Sequence, residues 1–267
     1  MATSQELREA TGTGVLSGKH CLIMGIQNRW SIAYAIAEAM AGAGATIAVT
    51  YVDDRAKRDS EALVADRPGA FAYACNVESD DELDTLGASV KQDIGRVDAL
   101  VHSIAYAPAA ELTGRFLDTS REGFKVAHSV SVYSLIAAAQ RIVPLMSDGG
   151  SITTMTYLGA DRVFPRYNVM GVAKASLEAT VRYLAGDLGA ERIRVNAISA
   201  GPIKTAAARG IPGFAEMHKV LLERAPIKEP FGAKQVADTA VFLASDSAAA
   251  ISGETLFVDN GYHAMGM

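Results

Sequence analysis

Cysteine is scarce in this sequence. Cys21 and Cys75 are the only two in 267 residues. They lie in separate apolar segments without metal-like spacing, which excludes a disulfide framework or a zinc cluster and leaves two buried thiols as the expectation. Basic runs are absent as well. Lys and Arg number 25 against 30 Asp and Glu, for a net charge of −5, and no cationic stripe exists to neutralise phosphates, so nucleic acid is not an expected partner. No stretch reaches the ~18 consecutive apolar residues of a membrane span, so no membrane association is expected. The opening residues, MATSQELREATGTG, carry acids and no apolar core. That is not a signal peptide, and a cytoplasmic location is the expectation. The five histidines show no pairing or carboxylate neighbour that suggests a metal, and no metal site is expected. No linker, composition shift or repeat divides the chain.

What is present is apolar and alternating. Hydrophobic residues make up 49% of the chain and charged ones 21%, which suits a globular protein with a sizeable core. Short β-branched runs at His20–Met24, Thr46–Tyr51, Phe71–Cys75, Ala99–Ser103, Ser151–Met155, Arg194–Ile198 and Thr255–Val258 read as strands. Between them, Ser31–Ala41, Arg55–Ala65, Ser79–Ile94, Arg121–Met146, Tyr167–Leu188 and Lys234–Ala244 carry helical periodicity. Alternation of this kind predicts an α/β fold, a single Rossmann-type doubly wound parallel sheet of about seven strands with helices on both faces. Residues 1–267 read as one dinucleotide-binding domain with a polar lead-in over residues 1–17. In the order 3-2-1, Cys21 and Cys75 would stand two strands apart, ~9.6 Å, too far for a disulfide.

Two sites stand out. The first strand runs into Gly25, followed by Gln27, Asn28, Arg29, Trp30 and then Ser31, Ile32 and Ala33. A glycine there allows a tight turn, and a helix N-terminus capped by Ser31 offers free N–H groups to a pyrophosphate, although the G-x-G-x-x-G spacing is missing. After the second strand stand Asp53 and Asp54, which could accept from ribose hydroxyls or simply open the next helix.

The second site is Tyr157, Tyr167 and Lys174. Tyr167 and Lys174 are seven apart, so on a helix they share a face ~10.5 Å along the axis. A lysine beside a phenol and a nicotinamide ribose could bind the ribose and lower the phenol pKa, equipping the phenol to serve a developing oxyanion. Late in the chain, Phe214, Met217, Leu221 and Leu222 have helical spacing within the segment 205–224. They read either as core or as a lid over an acyl chain.

Ordinary short-chain dehydrogenases place Tyr four before Lys and Ser thirteen before that Tyr. Here those positions hold Met170 and Tyr157, and the helix tyrosine has moved back to Tyr167. With the Gly25–Ala33 turn, His102 to Ala107, Ser151 to Tyr157, Tyr167 to Lys174, Arg194 to Ile203 and Ile251 to Asp259, the sequence resembles the enoyl-acyl-carrier-protein reductases, divergent short-chain reductases of bacterial fatty-acid synthesis. The resemblance runs from about Leu16 to Gly261.

It implies NADH-dependent reduction of trans-2-enoyl thioesters on acyl-carrier protein, with NADPH as the alternative cofactor. The reaction belongs to the elongation cycle of type II fatty-acid synthesis, in a cytoplasmic homotetramer. Tyr157, Tyr167 and Lys174 would be catalytic. Gly25, Ser31, Ile32, Val52, Asn76, Val77, Ile104, Lys174, Ile203, Lys204, Thr205, Ala206 and Ala207 would hold the cofactor. Ala107, Tyr157 and Tyr167 would contact substrate. Asn76 stands where the family usually has Asp, and Val52 where a Gln or basic residue often reads the adenosine ribose. A carbonyl reductase of the same fold lacks support, because the Tyr-x3-Lys pair is missing. A non-catalytic dinucleotide sensor would have no need of Tyr157, Tyr167 and Lys174.

Overall fold

Strand residues of alternating parity enter two different cores. On β1 (His20–Ile26), Leu22 and Met24 join one buried cluster while Cys21 and Ile23 join another. On β4 (Ala99–His102), Leu100 faces the first cluster, and Ala99 and Val101 face the second. A period of two with both faces buried is the condition of a parallel sheet covered by helices on each side. The computed structural model describes residues 14–203 and 214–266. Among these the seven strands are β1, β2 (Thr46–Tyr51), β3 (Phe71–Ala74), β4, β5 (Gly150–Thr156), β6 (Ile193–Ala200) and β7 (Thr255–Val258). They pair in parallel in the order β3-β2-β1-β4-β5-β6-β7.

The crossover helices begin where capping residues stand. Ser31 caps α1 (Ile32–Gly42), Asp53 caps α2 (Asp54–Val64) and Ser79 caps α3 (Asp80–Asp93). Each side chain accepts from a backbone N–H three residues on, at 3.3, 2.8 and 3.2 Å. The remaining long helices are α6 (Asn168–Leu188) and α8 (Ala233–Ala244), and α7 (Phe214–Arg224) precedes the latter.

One element departs from expectation. Residues 121–146 carry the period of one helix but form α4 (Arg121–His128), a π turn over Ser129–Tyr133, α5 (Ser134–Ile142) and a 3₁₀ turn over Val143–Leu145. The Ser134 hydroxyl donates to the Val130 carbonyl at 2.6 Å, a back-bond that competes with the regular ladder. By length and mean hydropathy the run Arg121–Leu145 could span a bilayer, but 56% of its apolar window is buried in the fold. Its Leu135, Ala138 and Ile142 pack into the core.

Both cysteines are buried and free, as the strand spacing requires. Burial first of all pushes their thiols up, to about 12 for Cys21 and about 11 for Cys75, so both stay protonated.

Candidate active site

Between β1 and β4 the strand order reverses, and the crevice beyond the carboxyl ends of such strands is where α/β sheets bind ligands. Two cavities of about 170 and 370 Å³ open there and share Gly25, Gln27, Ser103, Ile104 and Ala105. Gly25 has φ +98°, and a Cβ on it would overlap the Ser103 carbonyl oxygen and stand 2.9 Å from Ile104 Cγ1. The backbone here is a bare cradle, and α1 points its N-terminus into the same place through Ser31 and Ile32. These residues fit the pyrophosphate of a dinucleotide.

The larger cavity is lined by Val52, Asn76, Val77 and Ile104, the positions expected at the adenosine end. Asn76 Oδ1 accepts from the Glu78 N–H at 3.1 Å, which leaves its second lone pair for a donor. Asp53 Oδ1 accepts from the Ala56 N–H and so opens α2. Ile203 lies across the α1 N-terminus, in a neighbouring cavity of about 390 Å³ with Arg29, Trp30, Ser31 and His218. Lys204, Thr205, Ala206 and Ala207 lie outside the described residues.

The smaller cavity ends on Met155, Thr156, Tyr157, Tyr167 and Lys174. Lys174, two turns into α6, is buried, and its Nζ donates to the Met155 carbonyl on β5 at 2.8 Å. Burial lowers its pKa to about 8, while Glu178 one turn further along pulls the other way. Glu178 is tied down by the Thr156 hydroxyl at 2.7 Å, and burial raises its own pKa. Tyr167 stands at the N-cap of α6 rather than inside it, between Arg166 and Asn168, which both take positive φ (66° and 39°). Its ring lies 5.1 Å from that of Tyr157 at 72°, an edge contact, and Phe164 lies 5.0 Å beyond Tyr157. Gly159 makes room for the pair: a Cβ there would stand 2.5 Å from Tyr167 Cδ1 and 3.0 Å from Tyr157 Cδ1. Ala107 packs with Tyr157 and Phe164 against the buried cluster that contains Tyr167 and Met170.

The expected lowering of the phenol pKa by Lys174 is not what this environment does. Burial pushes Tyr167 above the usual phenol range, with Glu178 adding to the rise. Burial does the same to Tyr157, with Tyr167, Tyr262 and Asp259 adding. Desolvation is the largest cause at both positions and disfavours the phenolate. Tyr167 is therefore a protonated hydrogen-bond donor.

His263 does have a carboxylate neighbour: its Nδ1 lies 3.0 Å from Asp259 Oδ1, brought round by the 3₁₀ turn Tyr262–Ala264. The Asp-x3-His spacing was the signal. Sequence reasoning missed the role of His102. It is wholly buried, with Nδ1 3.0 Å from Thr154 Oγ1 and Nε2 2.8 Å from Ser134 Oγ. Burial, reinforced by Lys174, lowers its pKa to about 3, so it is neutral and structural.

This geometry has known counterparts. The family model described as enoyl-(acyl carrier protein) reductase matches residues 25–263. The chain belongs to that family. Among other members, the NADH-dependent enoyl-acyl-carrier-protein reductase of Bacillus subtilis is 46% identical over 250 residues, 93% of this chain and 97% of its own. The NADPH-dependent enzyme of Staphylococcus aureus is 45% identical over 252 residues, covering 94% and 98%. The enoyl-acyl-carrier-protein reductase of Bacillus cereus, solved with NADP⁺ and an indole naphthyridinone, superposes with a TM-score of 0.92. It is 45% identical and covers 96% of this chain and 100% of that one. Membership in the enoyl reductase family removes the carbonyl-reductase alternative.

Proposed function

We propose that this protein reduces trans-2-enoyl thioesters on acyl-carrier protein to the saturated acyl thioesters, with NADH, in the elongation cycle of type II fatty-acid synthesis. The observation that carries this reading is the meeting of buried Tyr167 and Lys174 at one end of the cavity that begins at the Gly25 cradle. Reduced nicotinamide held there would supply hydride to C3 of the enoyl group, and a proton taken up at C2 completes the saturated chain. Lys174 holds the nicotinamide ribose through its ammonium, presented at a carbonyl-anchored Nζ. The protonated Tyr167 hydroxyl donates to the thioester oxygen and strengthens that bond as charge builds there, because the donor is preset in a water-poor site. Tyr157 packs edge-on against Tyr167 and closes the wall on the substrate side. Gly25, Ser31, Ile32, Val52, Asn76, Val77, Ile104 and Ile203 serve the cofactor, and Ala107 offers its backbone to the substrate.

Substrate room lies next door. A cavity of about 890 Å³ runs from Leu158 and Phe164 to Glu216, Val220 and Arg224 on α7, and supports α7 as part of the wall around an acyl chain. Of the four apolar residues read as lid or core, Leu221 is buried and Leu222 exposed. The side chains of Phe214 and Met217 and residues 205–213 lie outside the described residues. A cytoplasmic homotetramer is the assembly that goes with this reading. Exposed Phe124 and Tyr133 between residues 121 and 142, and Tyr183 on α6, offer apolar surface for it.

Absorbance assays with crotonyl thioester and NADH test the reaction, and cofactor binding without turnover would favour a sensor instead. Tyr167→Phe should lower kcat about a hundredfold, the size of losing one oxyanion donor, with NADH affinity unchanged within about twofold. Equal kcat in the variant would remove Tyr167 from its role.

NADH should be preferred to NADPH. The exposed Asp53 and Asp54 open α2 directly after Val52 on the cavity wall, and a 2′-phosphate dianion there meets two carboxylates before it meets Arg55. Through water this repulsion amounts to about 1–2 kcal/mol, roughly tenfold in kcat/KM at one ionic strength. NADPH as the better donor would overturn the argument from the two acids without touching the reaction.

A further inference from the structure

We infer that Ser131 is a positioning residue for the enoyl substrate: its hydroxyl, carried on the π turn Ser129–Tyr133, fixes the Tyr106–Ala107 backbone that forms the substrate-side wall. The inference rests on the proposed function, which places the thioester between Ala107 and Tyr167.

After His102 the chain leaves the sheet, and residues 103–108 form no regular structure, so their backbone groups need partners outside a ladder. Tyr106 finds both of its partners in one side chain. Its N–H donates to Ser131 Oγ at 3.0 Å, and the Ser131 hydroxyl donates back to the Tyr106 carbonyl at 3.1 Å. A hydroxyl has one proton and two lone pairs, so these two bonds are compatible and use the proton fully. Ser131 is wholly buried, and its Oγ also lies 3.9 Å from Met170 Sδ, on the first turn of α6 beside Tyr167. The clamp therefore ties the loop after β4 to the first turn of α6.

The π turn makes this geometry available. One extra residue in a turn moves the following side chains about 100° around the axis relative to an unbroken α-helix. The turn is pinned to the same strand end from its other side, because Ser134 meets His102 Nε2 at 2.8 Å and the Val130 carbonyl at 2.6 Å. His102 and Tyr106, four residues apart at the mouth of β4, are thus held by two serines three residues apart.

Ser131→Ala should raise KM for crotonyl thioester about tenfold. It should change kcat less than threefold and weaken NADH binding less than it raises KM, because Tyr106 stands at the edge of the larger cavity while Gly25 and Ile104 precede the clamp. Val132→Ala, a buried neighbour in the same turn, loosens packing without touching Tyr106 and should lower Tm while leaving KM alone. Amide exchange at Tyr106 in the full-length protein should speed up in Ser131→Ala and not in Val132→Ala. Ser131→Cys, which keeps the size and a weak donor, should fall between wild type and Ser131→Ala in both readouts, and it stands in if the alanine variant does not fold. Equal exchange at Tyr106 in wild type and the Ser131 variant, or an unchanged KM in that variant, overturns the inference. So does the same KM rise in Val132→Ala. A wild-type protein that fails to reduce crotonyl thioester overturns the proposed function instead, and the exchange experiment still decides whether the clamp exists.

Discussion

Lys174→Met is expected to make the protein more stable and nearly inactive. The lysine is buried and its pKa is pulled from 10.5 to about 8, so below pH 8 the fold carries a charge it would rather not hold. A depression of that size is worth about 3 kcal/mol of destabilisation. Loss of the bond to the Met155 carbonyl returns roughly 1 kcal/mol of that. The net gain of about 2 kcal/mol should raise Tm by roughly 5 °C at pH 7. The sign fixes the pH window. The folded pKa lies below the unfolded one, so the penalty is complete below pH 8 and fades as pH climbs toward 10.5, and the gap between variant and wild type should narrow over that range. Activity moves the other way. Wild-type kcat/KM for the cofactor should fall as pH passes about 8 and Lys174 discharges, and Lys174→Met should lose at least a hundredfold in turnover at pH 7. Thermal melts from pH 6 to 10, beside initial rates, check both halves. A variant less stable than wild type at pH 7 would show that the buried ammonium is well supported after all.

Gly25→Ala is expected to damage fold and cofactor binding together. At φ +98° an L-residue is strained, and its Cβ would run into the Ser103 carbonyl, which is backbone and cannot swing aside. The combined cost should be about 3 kcal/mol in denaturant unfolding, with NADH affinity reduced at least fiftyfold as the cradle deforms. Gly18→Ala is the control. It also has positive φ, 75°, but open space around the added carbon, so it should cost only about 1 kcal/mol and leave NADH binding alone. Trp30, the only tryptophan and an exposed one beside the cradle, provides the fluorescence signal. Equal behaviour of the two variants would mean that close approach at Gly25 contributes nothing.

Much of this was legible in the sequence. β2 and β7 run over the expected residues, and Ser31 caps the helix it precedes. Gly25, Tyr157, Tyr167 and Lys174, some 150 residues apart at the extremes, do converge on one cavity. Period alone puts Tyr167 inside its helix, whereas Arg166 and Asn168 turn the chain with positive φ and leave it at the N-cap. The break in the run 121–146 was invisible for a similar reason. Its apolar pattern satisfies a single helix, and the hydroxyls that break it act on His102 and Tyr106, which lie 25 to 32 residues away.

The alternation of strands and helices, the glycine turn, the Ser31 cap and the Tyr-Tyr-Lys spacing can all be read along the chain alone. Each of these depends on neighbours within one or two turns of chain, where backbone geometry already decides which side chains share a face. The protonation states of Lys174, Tyr157, Tyr167 and His102, the π turn and the clamp on Tyr106 arise from packing between distant segments. Desolvation and non-local hydrogen bonds depend on which distant segments displace water from a group, and in this chain β5, α6 and the π turn supply those segments from separate parts of the sequence.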